Sequence, residues 1–169
     1  MNNRLAIGID IGGTRTKIGL VDLTLGRVLK MIISPTETKN SSRFLDNIKN
    51  SVDELIGTSI EKQTIAGIGF GVPSFVFENG IVDSTSGFLD FMEDYPLVSL
   101  IEQQCQLSCK IDNDARMVAL GETLYGRAKN YNRVLVLTLG TGLGLGFVVN
   151  KKLENSLPFA HMGGHMSMG

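Results

Sequence analysis

The sequence predicts an α/β fold, and three features lead to that prediction. Apolar runs of strand length alternate with segments of helical apolar period. Two strand-like runs are joined by a glycine-rich turn at Asp10-Ile11-Gly12-Gly13-Thr14, and two more by a similar turn at Leu139-Gly140-Thr141-Gly142-Leu143-Gly144. The chain has 169 residues, 43% of them hydrophobic, which suffices for one globular domain with its own core. A unit of strand, glycine turn and strand therefore occurs twice.

The first part of the chain is predicted to form an antiparallel meander followed by a helix. The three predicted strands are residues 4–10, 16–23 and 27–34. The first glycine turn and a tight turn at Asp22 to Gly26 join them. Arg43 to Ile56 carries apolar residues three and four positions apart, which predicts an amphipathic helix that Gly57 ends. One face of that helix is expected to lie on the sheet.

A fourth strand and a small hairpin are predicted next. Ile65 to Val72 alternates apolar side chains with glycines, which suggests close backbone approach on one side, and Pro73 closes it. Phe75 to Val82 is predicted to fold back at Glu78-Asn79-Gly80, because Asn-Gly is a strong hairpin signal.

Two helices and a strand lead to the second glycine unit. The predicted elements are a helix at Leu97 to Gln106, a strand at Leu107 to Ile111 and a helix at Asp114 to Tyr125. A polar stretch from Gly126 to Asn132 then precedes the second unit. We therefore predict one lobe at residues 1–126 and the beginning of a second lobe at residues 127–169.

Charge and composition exclude several classes of protein. The 16 basic and 17 acidic residues give a net charge of -1, without a basic cluster for a nucleic-acid backbone. The longest uncharged stretch, Val134 to Val149, has 16 residues, against the ~20 that a membrane-spanning helix needs. No signal peptide pattern opens the chain, and Cys105 and Cys109 are its two cysteines. We expect a cytoplasmic protein with reduced thiols and no nucleic-acid or membrane partner.

The glycine turns are candidate phosphate sites. Glycine can adopt positive φ and lets backbone N–H groups approach an anion, while Thr14 and Thr141 add hydroxyl donors. A tight hairpin turn is the structural alternative for Gly12-Gly13. Lys17 could reach a phosphate, but its place in an alternating strand favours a solvated side chain. Five phenylalanines that could line a sugar pocket are expected to be mostly core: Phe70, Phe75, Phe77, Phe88 and Phe91.

Asn113-Asp114 is predicted to open a helix. Asn113 is typical of an N-cap, which puts Asp114 in the first turn, where the helix dipole favours its charged form by ~0.3–1 kcal/mol. The dipeptide alone is more typical of a helix cap than of a catalytic group. The context of the two glycine turns favours a functional role.

Four motifs in order resemble the ROK family of sugar kinases, within the actin, hexokinase and Hsp70 type of ATPase fold. The matching segments are Asp10 to Thr14, Gly69 to Pro73, Asp112 to Ala115 with Ala119 to Glu122, and Leu139 to Gly144. The resemblance covers residues 5 to 153. It implies an actin-type, ribonuclease H-like N-terminal lobe with a mixed sheet and flanking helices, plus the start of a second lobe.

The resemblance also implies a role for each motif. Asp114 takes the family's position of the general base, which removes the proton of the sugar hydroxyl as it attacks the terminal phosphate of ATP. Asp10 is expected to face Mg²⁺ through its water shell. The implied phosphate contacts are Gly12, Gly13, Thr14, Gly140, Thr141, Gly142 and Gly144. The implied sugar contacts are Gly71, Asn113, Asp114 and His165.

The end of the chain departs from the family pattern. The family carries a glutamate and a histidine that contact the sugar, and this histidine joins three later cysteines on zinc. Here Met162 stands at the glutamate position, and the cysteines have no counterpart. Gly163 and Gly164 between His161 and His165 also disfavour a helical two-histidine site, so zinc is not predicted.

Two classes of function remain open. The first is an ATP-dependent hexose or amino-hexose kinase, or the N-terminal part of one. The second is a non-catalytic sugar-binding module, since the family includes repressors that retain the sugar pocket. A second lobe that begins at Val134 would leave unpaired strand edges and an uncovered apolar face. We therefore expect either a homodimer or a missing C-terminal half.

Overall fold

The computed structural model describes residues 4–77, 79–83, 89–139 and 143–155 of the chain. The chain divides into two compact units, Met1–Asp112 and Asn113–Gly169.

A five-stranded mixed sheet forms the centre of the first unit. Its strands are β1 (Leu5–Ile11), β2 (Arg15–Asp22), β3 (Arg27–Pro35), β4 (Ile65–Val72) and, further along the chain, a strand at Cys109–Asn113. The first three form the predicted antiparallel meander. Strand β4 pairs parallel to β1 on its other side, and the strand at Cys109–Asn113 borders β4. The predicted mixed sheet is confirmed.

Helix α1 (Ser41–Ile56) covers one face of this sheet. Asn40 caps it by accepting a hydrogen bond from the Arg43 N–H at 2.9 Å, and Gly57 ends it with a φ of 59°. Its buried residues recur at helical spacing: Phe44, Leu45, Ile48, Val52, Leu55 and Ile56. They share one buried cluster with the isoleucines of β1 and with Ile18 and Leu20 of β2. The helix therefore lies on the sheet as the sequence predicts.

The small hairpin also forms. Strands β5 (Phe75–Val76) and β6 (Val82–Asp83) pair antiparallel, and Gly80 between them has a φ of 78°. That left-handed conformation is one that glycine adopts without strain. Residue 78 of the predicted turn lies outside the described residues. Helix α2 (Leu97–Cys105) follows, and then β7, the strand at Cys109–Asn113.

The second unit is a helix on a three-stranded antiparallel sheet. Helix α3 (Asp114–Leu124) precedes β8 (Arg133–Leu139), β9 (Leu143–Val149) and β10 (Lys152–Leu153). The order of the strands is β10-β9-β8. The division between the units falls before α3, whereas the sequence predicts it after that helix. The reason is that α3 packs on the strands of the second unit, which follow it in the chain.

Candidate functional site

The first glycine turn is a tight link between β1 and β2. The Gly12 N–H donates a hydrogen bond to the Arg15 carbonyl at 3.0 Å. A Cβ atom at residue 12 would lie 3.0 Å from that same oxygen, so close backbone approach favours glycine here. Gly12 and Gly13 do not have positive φ, unlike the conformation the sequence suggests. Since the Gly12 N–H is used within the turn, the remaining donors for an anion are those of Gly13 and Thr14.

Thr36, which follows β3, holds this turn in place. Its hydroxyl donates to the Gly12 carbonyl at 2.7 Å and lies 3.0 Å from the hydroxyl of Thr16. Its backbone N–H donates to the Thr14 carbonyl at 3.1 Å. Sequence reasoning missed this residue, because a threonine at a strand end carries no signal that it will contact a turn more than twenty residues away.

Asp10 lies where β1, β2 and β4 meet. It pairs with Lys17 of β2 on one side and with Gly71 of β4 on the other. The Lys17 ammonium lies 2.9 Å from Asp10 Oδ2, and each side chain is 52% exposed. Lys17 is thus half exposed but paired, rather than simply solvated as predicted. The structure brings Asp10, Gly71 and the first turn together within the first unit.

Asn113 and Asp114 begin α3 as the sequence predicts. The buried Asn113 side chain accepts hydrogen bonds from the N–H groups of Ala115 at 3.0 Å and Arg116 at 3.4 Å. Asp114 Oδ1 accepts from the Ala115 N–H at 2.7 Å. Asp114 therefore sits at the positive end of the helix dipole, which favours its carboxylate form.

The start of α3 lies directly against the start of β9. A Cβ atom at Gly144 would lie 2.7 Å from Ala115 Cβ, and one at Gly146 would lie 2.4 Å from Ala119 Cβ. Such distances are too short for side chains, so both glycines are required by the close approach of the helix. Asp114 is consequently held beside the strand that leaves the second glycine turn. Residues 140–142 of that turn and the predicted sugar contact His165 lie outside the described residues.

A buried arginine links α3 to the chain after β10. Arg116 is 9% exposed, and its guanidinium donates to the Glu154 carbonyl at 3.0 Å and to Asn155 Oδ1 at 2.6 Å. A buried charge must be paired or hydrogen-bonded, and the planar guanidinium reaches two acceptors at once. Sequence reasoning missed this residue because an arginine in a helix is usually solvent-exposed.

The predicted aromatic residues differ in their burial. Phe70 is fully buried, and the ring of Phe91 contacts that of Phe44 at a tilt of 56°, with 5.4 Å between the ring centroids. Phe75 and Phe77 form an edge-to-face pair at 5.0 Å. Phe88 lies outside the described residues. Phe70 belongs to the buried cluster and Phe91 packs against it, whereas Phe75 is half-buried and Phe77 is 43% exposed. Among the described rings, the expectation that most are core is therefore wrong.

The described residues contain neither a cluster of metal ligands nor a helix long and apolar enough to span a membrane. Within that part of the chain, no three His, Cys, Asp or Glu side chains cluster as metal ligands would. In the same residues, none of the helices has the length and hydropathy needed to cross a membrane.

These features define a class of protein: an actin-type α/β fold of the kind found in carbohydrate kinases. The ROK family model matches residues 6–169, and the chain belongs to the ROK family.

Similar proteins include both kinases and a repressor. The glucokinase of Halalkalibacterium halodurans is 32% identical over 157 residues, which are 89% of this chain and 46% of that protein. The xylose repressor of Caldicellulosiruptor bescii is 31% identical over 173 residues, covering 96% of this chain and 41% of the repressor. The chain thus spans about half the length of the curated relatives it matches.

A solved structure of a ROK glucokinase has a similar fold. The ROK family glucokinase from Streptomyces griseus, in complex with glucose and AMPPNP, superposes with a TM-score of 0.77 at 30% identity. The match covers 89% of this chain and 46% of that one.

Proposed function

We propose that this chain is a ROK-type carbohydrate kinase, or the N-terminal part of one, which transfers the terminal phosphoryl group of ATP to a hexose or amino-hexose hydroxyl. The observation that carries the proposal is the position of Asp114. Its carboxylate begins α3, and α3 is packed so closely on β9 that the acid stays beside the start of that strand. A carboxylate at a helix N-terminus remains ionised at neutral pH and is able to accept a proton.

The other residues have supporting roles in this proposal. Gly13 and Thr14 of the first turn and Gly140, Thr141, Gly142 and Gly144 of the second bind the phosphates of ATP. Asn113 uses its Oδ1 to cap α3, so its amide N–H₂ is the part that donates to a sugar hydroxyl. Gly71 and His165 complete the proposed sugar contacts.

The residues around Asp10 fit a magnesium ion bound with nucleotide. Mg²⁺ is commonly held by one or two carboxylates together with phosphate oxygens and water, and Asp10 supplies one exposed carboxylate at the end of β1. The ion would neutralise phosphate charge during transfer. Asp10 would hold it through its water shell, next to its register partner Gly71 of β4.

The proposal also covers location and assembly. Cys105 and Cys109 are buried free thiols, as expected in the reducing cytoplasm. In this proposal, the second unit is completed either by a second copy of the chain in a homodimer or by a C-terminal half like those of the longer relatives.

A coupled assay of ADP release with a panel of hexoses and amino-hexoses tests the proposed activity. We expect Asp114→Asn to reduce turnover by about 10²–10⁴, the usual contribution of a general base. Asp46→Asn, which changes an exposed acid of α1, is the matched control and should leave turnover unchanged. Turnover that survives Asp114→Asn intact would refute the assignment of the base.

A non-catalytic sugar-binding module is the second candidate. The 31% identity to a xylose repressor over nearly the whole chain favours it. Calorimetric titration with sugars, together with the ADP assay, distinguishes the two candidates. A sugar-binding module binds a sugar but releases no ADP from ATP, whereas a kinase binds the sugar and releases ADP.

A further inference from the structure

The hairpin of β5 and β6 has two different faces. Successive residues of a strand point to opposite faces, whereas residues paired in register point to the same face. Val76 pairs with Val82, and both pack in or against the buried cluster. Phe75 pairs with Asp83, so these two share the opposite face. The ring of Phe77 lies edge to face on that of Phe75, and we call these three residues, Phe75, Phe77 and Asp83, the Phe-Asp face.

The two rings of the Phe-Asp face are accessible to a ligand. Phe77 is 43% exposed and Phe75 is half-buried. Their planes meet at 79°, with 5.0 Å between the ring centroids. The face of an aromatic ring carries partial negative charge, so it attracts C–H groups, which carry partial positive charge. The pair therefore offers an apolar contact for a ligand that presents C–H groups.

Asp83 adds a carboxylate oxygen that lacks a hydrogen bond. Its Oδ1 is shielded from water, yet no described residue donates a hydrogen bond to it. Buried polar groups in proteins are almost always satisfied, because a desolvated acceptor without a donor is costly. An ionised carboxylate only accepts hydrogen bonds, so a molecule that satisfies Oδ1 must bring an O–H or N–H group.

Backbone contacts hold the hairpin in place. The Phe77 N–H donates to the Ile81 carbonyl at 2.9 Å, and the Gly80 N–H donates to the Phe77 carbonyl at 2.8 Å. A Cβ atom at Gly80 would lie 2.7 Å from Val98 Cγ2, so the turn lies directly on α2. The Phe-Asp face is thus formed before a ligand arrives, which lowers the entropic cost of binding.

The hairpin follows the edge of the sheet that carries the first glycine turn. Strands β1 and β4 are parallel, and Gly71 near the end of β4 pairs with Asp10 near the end of β1. In open α/β sheets, ligands bind at the carboxyl ends of such strands. Phe75 comes shortly after Gly71 in the chain, so the Phe-Asp face adjoins a proposed sugar contact in sequence.

We infer that the Phe-Asp face determines sugar specificity: its rings pack on C–H groups of the hexose ring, and Asp83 Oδ1 accepts a hydrogen bond from one sugar hydroxyl. This inference rests on the proposed function, since it assigns further substrate contacts to the same protein. A sugar fits because it carries both C–H groups and O–H donors. A purely apolar ligand leaves the carboxylate unpaired, and the phosphates of ATP are repelled by it.

Calorimetric titration with sugars tests the inference. The probes are glucose, mannose and N-acetylglucosamine, followed by the monodeoxy derivatives of the sugar that binds most tightly. Asp83→Asn keeps the shape of the side chain and removes its charge, and Asp46→Asn, at an exposed acid of α1, is the matched control. Phe77→Leu removes the ring but stays apolar, whereas Phe77→Tyr keeps the ring.

We expect Asp83→Asn to weaken sugar binding about tenfold, because a charged acceptor makes the stronger hydrogen bond. Its Tm should not fall, since Oδ1 has no donor among the described residues. Phe77→Leu should weaken binding about two- to tenfold, and Phe77→Tyr and Asp46→Asn should leave it unchanged. One deoxy derivative should bind equally well to Asp83→Asn and to the unchanged protein, because it lacks the hydroxyl that Asp83 contacts.

Unchanged sugar binding in Asp83→Asn and Phe77→Leu would overturn the inference. Equal weakening of all deoxy derivatives by Asp83→Asn would also overturn it, because the loss would then not come from one hydroxyl. The ADP assay separates this inference from the proposed function. Sugar binding that depends on Asp83 without ADP release contradicts the kinase activity alone, whereas ADP release with the same KM for sugar in Asp83→Asn contradicts the inference alone. A chain that binds none of the sugars contradicts both.

Discussion

The contact between α3 and β9 predicts that Gly146→Ala destabilises the protein. The new methyl carbon would lie 2.4 Å from Ala119 Cβ and 2.6 Å from the Ala115 carbonyl oxygen. Carbon atoms in contact are normally ~3.5–4.0 Å apart, so the helix must move by about 1 Å or more. The Ala115 contact is with backbone, which a change of rotamer cannot relieve. Overpacking of this kind costs about 1–3 kcal/mol.

Gly121→Ala, in helix α3, is the matched control for Gly146→Ala in strand β9. A Cβ atom at Gly121 meets nothing within 4 Å. The substitution adds a methyl group without a clash and improves helix propensity, so we expect it to stabilise by about 0.4–1 kcal/mol. The two glycine-to-alanine changes should therefore shift stability in opposite directions.

Urea unfolding followed by circular dichroism measures both variants. For a chain of this size, ~1 kcal/mol corresponds to a change of ~2–4 °C in Tm, so thermal unfolding gives an independent check. If Gly146→Ala is as stable as the unchanged protein, the inference that α3 packs closely on β9 is refuted. If Gly121→Ala and Gly146→Ala lower stability equally, the loss comes from glycine replacement in general and not from the contact.

Four further predictions follow from single residues. Asn113→Ala removes the cap of α3 and should lower the free energy of unfolding by ~0.5–2 kcal/mol, whereas Asn113→Asp should retain most of it; urea titration checks both. Arg116→Met leaves the Glu154 carbonyl without its buried donor and should cost ~1–3 kcal/mol in the same assay. Thr36→Val removes the hydroxyl that holds the first turn. We expect calorimetry to show weaker binding in the proposed ATP site, while Tm changes little. Burial, and secondarily the Glu102 carboxylate, raises the pKa of Cys109 from 9.0 to about 12. The unfolded thiol ionises first, so stability present below pH 9 should decline as pH rises toward 12, and Cys109→Ala should make the decline less steep.

The sequence predicts the first unit well because the signals that define it are local. The strands of the meander start and end within about a residue of their predicted bounds, since alternation and turn residues act over a few positions. Gly57 and Gly80 adopt the left-handed backbone that ends a helix and forms a turn. Asn113 caps α3 because its short side chain reaches the first backbone N–H groups of the helix.

The features that the sequence does not reveal depend on contacts between distant residues. The Gly12 N–H is used by Arg15, so the first turn presents fewer donors than its glycines suggest. Thr36 and Arg116 act through partners more than twenty residues away. Helix α3 adjoins β7 in the chain but packs on strands that come later, and no local pattern indicates that preference. Residues 140–142 and 165 of the predicted site remain predictions.

The glycine–alanine packing of α3 on β9 has a mechanical consequence. With almost no free space between helix and strand, the acid at residue 114 and the strand that leaves the second turn form one rigid block. Any hinge motion must then occur outside this block, and the carboxylate moves together with the start of β9 whenever the unit moves. A spin-label distance between Val118 of α3 and Val149 of β9 should thus stay constant when nucleotide is added.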